Sequence, residues 1–333
     1  MQYIEVKKGH LFLFIIVTFL IVALVINPEI YMQSTLKGIM VWATAVLPAL
    51  FPFFFLTKLL TQLKLVEKIS HIFQPIMSKL FNVPGVASYV FLMSVISGYP
   101  VGAKITSELY ENGTITRGQA TRMCSFCSTS GPLFIVGTVG AEMFLCKGAG
   151  IIILISHILG AFLNGFLYRN YNKNERPITK IQTQEKPSQI DNLLANTIYD
   201  SIISILIVGG YIALFFMFID VLSNFYILGW FSDALGWLFG LVGIAPSTSI
   251  GIASGIIEVT RGCLDLSQSG ASIGLLCVLA TGLISWGGFS IHFQSLTFLQ
   301  KCNIKMSLYV LQKITHSILS ILVCLLLLFI FPL

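Results

Sequence analysis

This chain has little charge. Lys, Arg, Asp and Glu make up only 10% of its 333 residues, against roughly 25% in soluble domains. That excludes a solvated globular surface of ordinary composition. Cysteine pairs with metal-binding spacing are lacking as well. The seven cysteines are scattered, and the one tight pair, Cys124 and Cys127, has no second pair or ligand cluster beside it. Zinc and thiol–disulfide chemistry are therefore not expected, and the cysteines read as small apolar packing residues. No nucleophile-elbow pattern and no phosphate-cradling glycine loop occur, so neither an enzyme nor a cofactor is predicted. The formal net charge of +6 comes without a basic face interleaved with aromatics, so nucleic acid is not an expected partner.

What the chain has is hydrophobicity. Apolar residues make up 56% of it, and its mean hydropathy is +0.87. Uncharged runs recur at 11–26, 38–57, 80–103, 123–141, 148–168, 201–219, 234–257, 266–300 and 314–333. A spanning helix needs about 20 apolar residues. The run 266–300 is too long for one span and predicts two shorter pieces meeting near Trp286, Gly287 and Gly288. Roughly eight to ten membrane segments are expected, some of them half-length or re-entrant. The run 11–26 is followed by Asn27, Pro28 and Glu29 with no small-residue cleavage pattern, so it reads as a retained span.

Two of these runs are interrupted by similar punctuation. The first carries Ser97-Gly98-Tyr99-Pro100-Val101-Gly102-Ala103-Lys104 and then Ser128-Thr129-Ser130-Gly131-Pro132. The second carries Ser254-Gly255, with Glu258 and Arg261 just after, and then Ser285-Trp286-Gly287-Gly288. The separation is 33 residues both from Ser97 to Ser130 and from Ser254 to Gly287. A helix broken inside a bilayer frees backbone groups that are tolerated only against protein or a watery cavity. Corresponding breaks in two halves point to a transport site.

The order of features around the breaks also repeats. Each half has an aromatic span, an amphipathic stretch, a turn and two breaks. The aromatic spans hold Phe51–Phe55 and Leu214–Phe218; the turns are at Val83-Pro84-Gly85 and Ala245-Pro246-Ser247. Lys64, Lys68, His71 and Lys79 alternate with apolar residues at helical spacing over 60–81, which reads as an interfacial helix or, alternatively, a basic vestibule. Between the halves, the polar stretch 169–191 carries Arg169, Lys173, Arg176, Lys180 and Lys186. It reads as a cytoplasmic linker under the positive-inside bias, and Lys7 and Lys8 suggest a cytoplasmic N-terminus.

The motif at 97–104, the stretch 125–135, and the segments 257–262 and 285–294 resemble the YlbJ-type sporulation integral membrane proteins. That family lies in the wider nucleoside-recognition Gate group, which is similar to parts of concentrative nucleoside transporters and ferrous-iron permeases. The resemblance runs from about Phe51 to the last span. It implies a spore-forming bacterium, residence in the outer forespore membrane, and carriage of dipicolinic acid into the forespore.

Dipicolinate is a flat aromatic dianion, and its site needs cations, forked donors and a stacking face. Lys104 and Arg261 stand just beyond the first break of each half, and Arg261 offers a planar fork. Helices that restart after each break aim N–H groups at an anion, while Tyr99 and Trp286 offer rings. The plainer readings are that Lys104 and Arg261 snorkel, that Glu258 pairs with Arg261 on one helix face, and that Ser128, Thr129 and Ser130 satisfy freed backbone. The sharper reading of Glu258 is a proton or cation carrier. Gln294 reads as a cavity-lining residue, His157 and His316 as satisfied packing residues, and Asp200 and Asp220 as interfacial.

The expectation is an all-α polytopic integral membrane protein of the cell membrane. It has two related halves as an inverted repeat, at 1–168 and 192–333, joined by the linker 169–191, with discontinuous helices and re-entrant hairpins. Its predicted substrate-binding residues are Ser97, Gly98, Tyr99, Pro100, Gly102, Lys104, Ser128, Thr129, Ser130, Gly131, Glu258, Arg261, Trp286, Gly287, Gly288 and Gln294, with no metal. The expected partners are a small-molecule anion and the lipid bilayer, and a homo-oligomer is compatible with the reading. A nucleoside carrier and a non-transporting assembly factor of the spore envelope are the alternatives. A nucleoside needs amide and hydroxyl partners but not Lys104 and Arg261.

Overall fold

A computed structural model describes residues 8–62, 65–174 and 190–333; the side chains at 8–13, 49, 53, 57–58, 60–62, 65–69 and 190–193 also fall outside the description. The predicted roles of Lys7, Lys64, Lys68, Arg176, Lys180 and Lys186 lie outside the described residues. Among the described residues the chain is helical, with no strand. The N-terminal part comprises α1 (Lys8–Ile26), α2 (Pro28–Val41), a π-helical segment Trp42–Val46, α3 (Leu47–Gln62), α4 (Leu65–Phe81), α5 (Val86–Ser97), α6 (Val101–Glu111), α7 (Arg117–Cys124), a second π-helical segment Leu133–Met143, and α8 (Lys147–Tyr168). The C-terminal part comprises α9 (Ile190–Asn224), α10 (Ile227–Leu241), α11 (Ser249–Ile257), α12 (Val259–Ser267), α13 (Ile273–Trp286), α14 (Gly288–Leu299) and α15 (Met306–Ile330).

Among the described residues, four elements are long and apolar enough to cross a bilayer: 147–168, 194–224, 273–302 and 306–330. The pair 14–26 with 28–46, bent by 108°, and the pair 70–81 with 86–97, bent by 89°, raise the number to six if each pair is one span. Among the described residues, full spans thus stand beside half-length apolar helices, the mixture that the apolar runs predict. Leu133–Met143 and Ile227–Leu241 are examples of the shorter kind.

Local sequence accounts for where the helices stop. Gly98 caps α5 with φ 76°, a conformation open to glycine, and Pro100 then opens α6. The first break of the second half is Glu258, not Ser254-Gly255. Glu258 alone is extended (φ −141°, ψ 119°), while Ser254 and Gly255 stay inside α11. Gly287, at φ 88°, separates α13 from α14, as the over-long run predicts. Thr116 and Gln119 form a reciprocal capping box at α7.

The long helices are joined by small and polar residues, as expected where lipid supplies no hydrophobic drive between helices. Gly160 of α8 lies so close to Ser320 of α15 that a side chain there would overlap it. Asn164 of α8 donates to the carbonyls of Ser125 (2.7 Å) and Gln312 (2.9 Å). The cysteines are free, and all but Cys146 are fully buried. Trp230 and Trp237 are exposed on α10, as suits interfacial tryptophans.

Just beyond α8, Arg169 donates to the Lys79 carbonyl (2.8 Å) and Arg122 to the Tyr171 carbonyl (2.5 Å), so basic residues of three segments gather at one end of the molecule. By the positive-inside bias that end is expected to be cytoplasmic. A cysteine replacing the exposed Asn174 should be blocked in intact cells by a permeant maleimide and not by an impermeant one. Labelling by the impermeant reagent would reverse the orientation.

Candidate functional site

The four breaks meet. A side chain at Gly98 would come within 2.9 Å of Gly131 N, so the two breaks of the first half touch. One at Gly288 would come within 3.0 Å of the Ile257 carbonyl and 3.1 Å of Val259 N, so the two breaks of the second half touch as well. The first pair and Glu258 of the second border one cavity of about 60 Å³, lined among others by Gly98, Tyr99, Ser130, Gly131 and Glu258; the last break contributes through Ser290, Ile291 and Gln294 of α14 rather than through Gly287 and Gly288 themselves. One water needs roughly 10–15 Å³ on the same measure. The space therefore has room for several waters or part of a small solute.

Its lining is mixed. Val46, Leu50, Phe134, Val208, Ile212 and Ile291 are apolar, while Ser130, Thr138, Thr260, Ser290 and Gln294 bring hydroxyls and an amide. The Ser290 hydroxyl is buried with no hydrogen-bond partner among the described residues. An unpartnered polar atom on a cavity wall is a contact waiting for a ligand or water. Glu258 is buried, and its Oε2 accepts from the Arg261 backbone N–H at 2.7 Å, so it caps the start of α12 and faces the cavity at once. It does not pair with the Arg261 side chain across one helix face.

The other predicted residues lie off this cavity, each for a packing reason. Lys104 donates to Ser204 Oγ (3.2 Å) and, with Pro100, lines a separate lateral cavity beside α9. Arg261 binds Asp220 through Nη2 (3.2 Å) and Asp265 through Nε (3.0 Å), so its charge is balanced, while its Nη1 is buried with no hydrogen-bond partner among the described residues. Asp220 in turn accepts from Ser34 (2.5 Å) and ties α2 to α9. Trp286 donates to the Ile256 carbonyl (3.0 Å) and borders an apolar cavity with Phe239 and Ile318. Its ring is therefore not offered to the four breaks. Gly102 is held against the Cys127 carbonyl. Thr129 hydrogen-bonds Ser94 (2.9 Å), and Ser128 hydrogen-bonds Tyr309 (3.0 Å). Ser97 is buried with an unpartnered hydroxyl, and Gly287 and Gly288 are turn positions with φ 88° and 74°.

A cation stands behind the cavity that reading the sequence missed. Lys313 of α15 is 1% exposed. Its Nζ donates to Tyr99 OH (2.6 Å) and the Ser128 carbonyl (3.0 Å), and lies 3.5 Å from His316 Nδ1. His157 accepts from Ser130 N–H at 2.9 Å and holds Ser285 Oγ at 2.8 Å. The two histidines are thus satisfied, as expected, but within a polar cluster rather than in apolar packing. The available signal was Lys313 three residues before His316, one helix face carrying both.

Residues 43–144, which contain the first two breaks, match the Gate family, described as nucleoside recognition. Over 318 residues the chain is 28% identical to the sporulation integral membrane protein YlbJ of Bacillus subtilis (strain 168), covering 90% of this chain and 78% of that protein. These similarities bear out the resemblance carried by the break motifs. No solved structure matches the chain.

Proposed function

We propose that this protein is a membrane carrier of a small organic anion that binds in the cavity where the four helix breaks meet. The observation that carries the reading is that convergence, backed by the buried amino group of Lys313 behind Tyr99. Backbone released inside a membrane must face protein or a watery space, and helix breaks gathered around one partly polar cavity fit a substrate site. The family resemblance makes dipicolinate the substrate, sporulation the setting, and the outer forespore membrane the location. The halves 1–168 and 192–333, joined by 169–191, act as an inverted pair that rocks about the fixed site. One pair of placements supports the inversion: α7, which leads into the Ser130 break, has Arg122 at Tyr171 beyond the end of α8, whereas α13, which leads into the Gly287 break, has Cys277 in one cluster with Cys146, just before α8 begins, so the two breaks are entered from opposite ends of α8.

A second reading, a nucleoside carrier, is favoured by the lining itself. Ser130, Thr260, Ser290, Gln294 and Glu258 are hydroxyl, amide and carboxylate partners, while Lys104 and Arg261 lie elsewhere. Purified protein in liposomes should take up labelled dipicolinate in preference to uridine. Preference for uridine would establish the second reading. Uptake of neither, with normal spore formation by Pro100 and Pro132 variants, would favour an assembly factor.

A further inference from the structure

The neighbours of Lys313 fix the protonation pattern around it. The Ser130 N–H donates to His157 Nε2, so that nitrogen carries no proton and His157 is neutral, with Nδ1 donating to Ser285. His316 Nε2 meets the His157 carbonyl at 3.0 Å and must donate to it, which leaves Nδ1 as an acceptor toward Lys313. Tyr99 OH donates to the Ile284 carbonyl (3.2 Å), so its oxygen receives from Lys313. Lys313 thus faces three acceptors, Tyr99 OH, the Ser128 carbonyl and His316 Nδ1, matching the three protons of an ammonium.

All three acceptors are neutral. Among the described residues no carboxylate lies within ion-pair distance of Lys313 Nζ. Other titratable groups in this region are also neutral or poor counter-ions. Tyr309 shares a hydrogen bond with Ser128, and His292, edge-on to Tyr309 with ring centroids 5.5 Å apart, donates from Nδ1 to the Gly288 carbonyl. Glu258 faces the cavity, but its Oε2 is engaged by the α12 N-terminus. An ammonium buried in a membrane without a counter-ion is costly and tends to lose its proton instead.

We infer that Lys313 takes up one proton when an anion enters the cavity and releases it when the anion leaves, so that substrate and proton travel together. This rests on the anion-carrier reading. The empty carrier holds a neutral amine. A carboxylate beside Tyr99 supplies the missing negative charge, and the amine then takes up a proton from the buffered solution on the loading side. Linkage makes the effect reciprocal: the proton strengthens anion binding by the same factor by which the anion strengthens proton binding. A dianion would move with one of its charges cancelled.

Calorimetry of dipicolinate binding to the full-length protein in detergent tests this, in two buffers of different ionisation enthalpy and over a pH series. The difference between buffers counts protons taken up per anion. The wild type should take up protons, rising toward one per anion as pH increases and the free amine predominates. Lys313→Arg stays charged throughout and should bind the anion with no proton uptake. Lys313→Met, of similar length and apolar, should keep its melting temperature, bind at least about tenfold more weakly for want of a charge-assisted contact, and take up none. Proton uptake by Lys313→Arg equal to wild type would overturn the assignment. So would its loss in Glu258→Gln with retention in Lys313→Arg, which would put the proton on the carboxylate. Wild-type binding without proton uptake at any pH would remove the coupling and leave the carrier reading standing. No wild-type binding at all would remove both.

Discussion

Gly288→Val is expected to lose folding and uptake together. Gly288 has φ 74°, and a Cβ there would stand 3.0 Å from the Ile257 carbonyl and 3.1 Å from Val259 N. The left-handed backbone costs an L-residue about 1–2 kcal/mol, and forcing extra methyls against backbone typically costs about 1–3 kcal/mol more. A combined loss of about 2–5 kcal/mol is a large share of a marginal stability. Gly131 differs: its φ is not in the left-handed region, its Cβ would stand 3.2 Å from the Ile96 carbonyl, and it lines the cavity. Gly131→Ala should therefore keep most of its stability while losing binding. Thermal melts in detergent, set beside uptake per folded protein, separate the two. A Gly288→Val protein that melts like wild type would show that the second pair of breaks is not held as described.

The second large effect is expected at Arg261. Replacing it by glutamine strands Asp220 and Asp265, whose side chains are 23% and 15% exposed. Because that exposure screens the charges, the loss is put at about 1–3 kcal/mol rather than the larger value for a fully buried pair. The triple change Arg261→Gln, Asp220→Asn and Asp265→Asn should recover most of it, since no carboxylate is then left unpaired. Dipicolinate affinity of the folded fraction should be unchanged, because the guanidinium is held away from the cavity by α9 and α12 side chains. Normal stability with lost affinity would return Arg261 to the binding site.

Much of this protein was legible in its residues, and what was missed has a common cause. The helix breaks announce themselves because glycine and proline act on their own backbone. Gly98, Pro100 and Gly287 end or restart helices wherever an apolar run carries them. The break at Glu258 was placed three to four residues early, since Ser254 and Gly255 resemble punctuation but are tolerated inside α11, where Gly255 lets α12 and α13 approach closely. The membrane character followed from composition alone, because a bilayer rewards apolar length irrespective of what each span later touches.

The charges went the other way. Lys104 and Arg261 look alike beside their breaks, yet Ser204, Asp220 and Asp265, all brought in by helix packing, claim them. Lys313 looks like the polar flank of the last span, and only the close seating of α15 against α8, allowed by Gly160 and Ser320, carries it into the interior beside Tyr99. The sequence by itself determined the solvent of this protein and where its helices break, because those depend on residues adjacent in the chain. The tertiary structure alone decided which cation stands behind the cavity. A charged side chain is fixed by its partners, and here those partners lie as many as 214 residues away.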